Sequence, residues 1–127
     1  MPIMNTQTQF PKSVLAALHK GKIIGLRAGT HRFIGVWFVL VKDRLFVRPW
    51  NDKPGGWYRA FLQEPAGVIQ IGERELRVRA RKARGERLLD TIDLAYREKY
   101  PTPGARAYVT GFARPRRRAT TLELLPG

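Results

Sequence analysis

The sequence has no cysteine, one serine and two histidines. Without cysteine there are no disulfides, no thiolate metal sites and no cysteine nucleophile. The single serine, Ser13, falls in a stretch patterned as a helix. It lacks the strand–turn–helix setting of a nucleophilic serine, which argues against serine hydrolysis. His19 and His31 fall in different elements, no HxxxH occurs, and no acidic cluster has ligand spacing. A dedicated metal site is therefore not expected. Neither GxGxxG nor a P-loop motif is present, which removes the Rossmann and P-loop routes to a nucleotide. The longest apolar run, FIGVWFVLV, has nine residues. That is well short of the roughly 20 of a membrane span and suits a buried strand, so no membrane partner is expected. The opening MPIMNTQTQF has no basic n-region and no long apolar stretch, so no signal peptide and a cytoplasmic location are expected. Residues 1–10 are read as a flexible lead-in and 11–127 as one domain.

Acidic residues are also scarce. Ten Asp and Glu face 24 Lys and Arg, for a formal net charge of +14. Arginine outnumbers lysine 17 to 7. Such a surplus points to an anionic partner: a nucleic acid, a phosphorylated cofactor or an acidic lipid surface. The competing reading is solvated charge that follows from base composition. Arginine binds phosphate bidentately and stacks on planar rings.

The hydrophobic pattern orders the chain as helix, three strands, short helix, two strands, long helix, two strands. PKSVLAALHKG reads as a helix stopped by Gly21, with His19 set against its dipole. KIIGLRA and FIGVWFVLVK read as strands. The second has two apolar faces, Ile34, Val36, Phe38 and Leu40 against Trp37, Val39 and Val41, as a barrel wall or a doubly covered strand requires. KDR is a tight turn and LFVRPW the returning strand. NDKPGG is a loop and GWYRAFLQE a short helix. GVIQIG and RELRVRARKA form a second hairpin, with Arg77, Arg79 and Arg81 on one face and Leu76, Val78 and Ala80 on the other. ERLLDTIDLAYREKY is an amphipathic helix with Leu89, Ile92, Tyr96 and Tyr100 inward and Asp93–Arg97 as an i,i+4 pair. RAYVTGFA and ATTLELLP read as the last strands. The sum is an antiparallel barrel, mainly β (α+β), with flanking helices.

The chemistry left over is aromatic and cationic. Arg27, His31 and Arg32 surround the first loop, Arg48 and Trp50 lie at the hairpin exit, Lys53 sits in the glycine loop, and Trp57, Tyr58 and Arg59 open the next helix. A loop of glycines before a helix start can approach an anion closely, and an indole can stack on a flavin-like ring. The bland reading stands beside it: Trp37 is a core residue, and Arg32, Arg48 and Lys53 are as readily solvated charges as phosphate ligands. No catalytic acid or base can be named, and Tyr58 and Tyr96 are candidates for a proton relay only.

The stretch LFVRPWNDKPGGWYRAFLQEPAGVIQIGERELRVRARK resembles the FMN-binding split β-barrels, including the deazaflavin-dependent nitroreductases. It has their strand, loop and WYR helix followed by a VIQIG…VRAR hairpin. Across residues 22 to 126 the chain is similar to the uncharacterised bacterial family called domain of unknown function 2255, through WFVLVKDRLFVRPW, WYR, IDLAYREKYP and ATTLELLP in order. The resemblance implies an FMN-binding-type split barrel, a homodimer with cofactor sites at the subunit interface, and FMN or a deazaflavin as cofactor. It places the cofactor phosphate near Arg32, Arg48 and Lys53, followed by Trp57, with Trp50, Tyr58 and Arg59 completing the candidate set. Where relatives often carry a hydroxyl residue before the lysine, this chain has Asn51 and Asp52. An acid there repels a phosphate unless it is paired. Three readings follow. The first is a flavin- or deazaflavin-binding protein, with oxidoreductase activity left open. The second is a nucleic-acid-binding module using Arg77, Arg79, Arg81, Lys82 and Arg84 with Arg114, Arg116, Arg117 and Arg118. The third is a cofactor-free structural or partner-binding dimer.

Overall fold

A computed structural model describes residues 9–127. The lead-in expected over 1–10 lies almost wholly outside the described residues. Helix α1, Lys12–Lys20, follows Pro11 and ends at Gly21. Strands β1 (Ile23–Ala28), β2 (Ile34–Val41) and β3 (Arg44–Val47) come next, then helix α2 (Trp57–Gln63) and strands β4 (Ala66–Ile71) and β5 (Arg74–Lys82). Three helices precede the last strand: α3 (Glu86–Lys99), α4 (Pro103–Phe112) and α5 (Pro115–Arg118), then β6 (Leu122–Pro126).

All strand pairs are antiparallel, and the order β1-β2-β3-β6-β5-β4 closes on itself as a barrel. The β2–β3 turn holds Lys42 and Asp43 at φ 52° and 63°. Two positive φ values are the backbone of a two-residue hairpin turn whose twist matches the strands. Gly72, at φ 60°, serves the β4–β5 turn.

Both apolar faces of β2 are used. Phe38 points into the barrel with Ile24, Leu26, Leu45, Val47, Ile69, Val78, Leu122 and Leu124, and α1 and α2 plug this core with Val14, Leu18, Tyr58 and Phe61. Val39 and Val41 point outward with Phe46 and are covered by Leu89, Ile92, Tyr96 and Tyr100 of α3 and by Ala105, Val109 and Phe112 of α4. The barrel therefore carries a second core on its outer wall. Tyr100 ties this core to the sheet. Its hydroxyl accepts the Phe38 N–H at 3.0 Å, and its proton lies within reach of the Lys22 and Phe38 carbonyls at 2.7 and 2.8 Å. Burial raises its pKa to about 12, so it stays a neutral donor.

Two expectations need correction. Residues 106–112 form most of α4 and not a strand, so among the described residues the barrel has six strands where the sequence pattern suggested seven. Tyr108, Val109 and Thr110 carry the β preference, but Pro103 sits in the first turn and Ala105, Val109 and Phe112 fall on one buried helical face. Packing on the outer wall of β2 decides the outcome over local propensity. The second correction concerns Asp93. It does not pair with Arg97 but turns inward to Arg48 and Arg118.

Candidate cofactor site

The site begins where β3 stops. Pro49 follows Arg48 and cannot donate to a ladder. The β2–β3 register accordingly ends at Phe38↔Val47, while β2 continues back to Ile34 against β1 alone. Phe38 directs its N–H and C=O to the β1 side, where Tyr100 bridges to Lys22. Alternation then turns the backbone groups of Gly35 to the other side, along the stretch of β2 that β3 has left.

An aromatic groove of about 360 Å³ lies along this stretch, between residues 34–37 of β2, Arg48, Trp50, Trp57, Tyr108 and Phe112. Trp37 is held flat by Tyr100, with ring centroids 4.3 Å apart and planes 6° apart. Trp50 packs edge-on against Tyr108 and Phe112 at 5.3 and 5.4 Å. Its indole rests on α4 at Gly111, where a Cβ would stand 2.5 Å from Trp50 Cη2. Arg117 covers the ring at 3.7 Å, donates Nε–H to the Trp50 carbonyl at 2.6 Å and donates Nη1–H to the Gly111 carbonyl at 3.2 Å. Cation, indole and helix thus fix one another.

Trp50 also borders a second, cationic pocket of about 580 Å³, whose lining includes Asn51, Asp52, Arg114, Arg116 and Arg117. The one acid there, Asp52, is neutralised by Arg59 through two bonds, Nε to Oδ1 at 2.7 Å and Nη2 to Oδ2 at 3.1 Å. This pairing meets the condition under which an acid at position 52 tolerates a neighbouring anion. Arg114 and Arg116 have no carboxylate partner among the described residues.

The expected site residues divide. Trp50, Trp57 and Arg48 meet at the groove. Arg48 does so as a buried strut. Its Nε donates to Thr121 Oγ1 at 2.7 Å, Nη1 to Asp93 and to the Phe112 carbonyl at 3.0 Å, and Nη2 to the Leu89 carbonyl at 3.3 Å. A guanidinium spent this way has little left for a phosphate. Arg59 is spent on Asp52. Tyr58 lies in the barrel core at 4% exposure. Arg32 and Lys53 are exposed and line neither pocket. Tyr96 is fully buried behind Arg48 and Phe112, and its hydroxyl has no partner among the described residues. Burial drives its pKa well above the usual tyrosine value, against a relay role.

Sequence reasoning missed Tyr108, Phe112, Arg114 and Arg116 as site residues. The first two were hidden by the strand reading of 106–113. The arginines were grouped with a nucleic-acid stripe, of whose members Arg81 meets Glu123, Arg117 stacks on Trp50, and Arg118 meets Glu86, Asp90 and Asp93. Among the described residues no group of three or more potential ligands gathers as a metal site, and no helix is long and apolar enough to cross a membrane.

Residues 23–124 match the family described as "Uncharacterized protein conserved in bacteria (DUF2255)". The chain belongs to that family. Among curated proteins no relative matches. Three solved structures share the fold at low identity. The conserved hypothetical protein Rv2991 from Mycobacterium tuberculosis superposes with a TM-score of 0.62 at 8% identity, over 97% of this chain and 83% of that one. A putative pyridoxamine 5'-phosphate oxidase from Listeria innocua gives 0.60 at 10%, over 91% and 90%. An F420-H2 dependent reductase, FDR-A, gives 0.56 at 18%, over 82% and 93%. The fold shared with these structures is an antiparallel six-stranded β-barrel with flanking helices.

Proposed function

We propose that this protein binds a phosphorylated flavin or deazaflavin, with the ring system in the aromatic groove and the phosphate in the arginine pocket. One observation carries the reading: Trp50 is a common wall of an aromatic groove and a pocket holding two arginines that have no carboxylate partner among the described residues. A planar ring joined to an anion is the ligand shape such a pair of pockets accommodates. Trp37, Trp57 and Tyr108 offer ring faces and edges. The edge of β2 at Gly35, beyond the β3 register, offers a backbone donor and acceptor to the polar rim of a flavin-type ring. Arg114 and Arg116 take the phosphate, in place of the Arg32, Arg48 and Lys53 expected from the sequence.

A bound flavin-type cofactor would supply redox chemistry; the chain contributes stacking, charge and shelter from water. Tyr108 and Trp50, at 53% and 41% exposure, leave the groove mouth open. A second copy of the chain closing over this mouth is the homodimeric arrangement that the reading favours. FMN and a deazaflavin titrated into the purified protein test the proposal by fluorescence quenching. Saturation in the micromolar range or tighter, weakened by Trp50→Ala, supports it. Absence of saturation in a protein that melts normally refutes it.

A further inference from the structure

A third cavity, of about 500 Å³, lies on the opposite side of α4 from the groove, in the corner that α4 makes with α3. Arg106, Val109 and Thr110 face it from α4 and Ala113 from just past its end, at i, i+3, i+4 and i+7, while Asp93 and Arg97 face it from α3 and Tyr100 from just past its end. Tyr108 and Phe112 turn the other way, into the groove. The floor is apolar. The Tyr100 hydroxyl is committed to β2, so that residue offers mainly its ring.

The rim is cationic, and the inward turn of Asp93 makes it so. Asp93 pairs with Arg48 and lies 2.9 Å from Arg118 Nε, which compensates its charge within the protein. Arg97, deprived of the i,i+4 acid its sequence position offers, is left facing the cavity. Among the described residues neither Arg97 nor Arg106 has a carboxylate partner. Two arginines and a threonine hydroxyl over an apolar floor match an anionic head on a short hydrophobic body.

We infer that the α3–α4 cavity is a second binding site, separate from the cofactor groove, for a small organic anion such as an aromatic carboxylate or phosphate ester. Arg97 and Arg106 hold the anionic head, Thr110 donates to it, and Val109, Ala113 and Tyr100 take the apolar body. Because α4 separates the two spaces, both can be filled at once.

Calorimetric titration with benzoate and phenyl phosphate, with benzyl alcohol as the neutral control, tests the inference. The expected result is saturable binding of the anions but not the alcohol, weakened about tenfold or more by Arg97→Gln or Arg106→Gln. Both residues are exposed, so these variants should melt as the wild type does. Arg116→Gln, in the cationic pocket, should leave benzoate binding unchanged. No saturation into the millimolar range, equal affinity in the Arg97 and Arg106 variants, or loss on Arg116→Gln would each overturn the assignment. FMN titration of the same Arg97 and Arg106 variants separates this result from that of the groove.

Discussion

Replacing Arg48 should cost stability first and cofactor binding second. Arg48 is 2% exposed, and its three guanidinium nitrogens reach Thr121, Asp93 and the carbonyls of Phe112 and Leu89. It therefore links β3 to α3, α4 and the start of β6. Arg48→Met keeps the stem and removes the charge. It leaves Asp93 with only Arg118, and it strips two buried carbonyls of their side-chain donor. Breaking one partner of a buried ion pair costs about 3–5 kcal/mol. For a chain of this size each kcal/mol moves Tm by roughly 3–5 °C, so the expected fall is about 9–25 °C. Arg48→Lys keeps the charge but cannot reproduce the fork, and should fall between the two. Thermal melts by circular dichroism measure this directly. If Arg48→Met melted within about 2 °C of wild type yet lost flavin binding, Arg48 would be a ligand, and the strut argument would fail.

Other consequences are as specific. Gly111→Ala puts a Cβ 2.5 Å from Trp50 Cη2, so the indole must leave its seat; a shifted tryptophan emission and weakened ring binding are expected, with Gly104→Ala, where a Cβ meets nothing within 4 Å, as the silent control. Tyr100→Phe leaves the buried Phe38 N–H without its acceptor and should cost about 1–3 kcal/mol in a denaturant titration. Glu123 sits between Arg44 and Arg81; burial pushes its pKa up, but the hydrogen bonds and charges of the two arginines outweigh this and hold it below the usual value. Its stabilising share is thus present above the unfolded-state value of about 4.5 and lost as pH falls through the lower folded value. Glu123→Gln should flatten the acid limb of a plot of stability against pH, and an unchanged limb would contradict the network.

The parts of the fold legible in the sequence were those where one physical signal dominated. The double apolar face of β2 announced a wall buried on both sides, and Phe38 and Val39 do face two different cores. The arginine alternation of β5 was similarly plain, and the turn read over residues 42–44 forms at Lys42–Asp43, with Arg44 already in β3. The site was less legible because its residues come together only through tertiary packing. Trp50 and Trp57 were recognisable as aromatics beside a glycine loop. Nothing local announces that α4 delivers Tyr108 and Phe112 to the same groove, since Tyr-Val-Thr suits a strand as well as a helix. Arg48 and Arg116 look alike in sequence. One is buried among four partners and the other lines an open pocket, a difference set by the early end of β3 and by the position of α5. The pairing of Asp52 with Arg59 spans seven positions across a loop and follows no fixed spacing.

The division of labour around Trp50 is the central claim, and a comparison of FMN with riboflavin tests it most directly. The two share a ring system and differ in the phosphate. Wild-type protein should bind FMN more tightly than riboflavin, and Arg114→Gln with Arg116→Gln should erase that preference by weakening FMN about tenfold or more while leaving riboflavin unchanged. If the double variant kept the full preference, the phosphate would lie elsewhere. If wild type bound neither ligand, the groove would not be a flavin site.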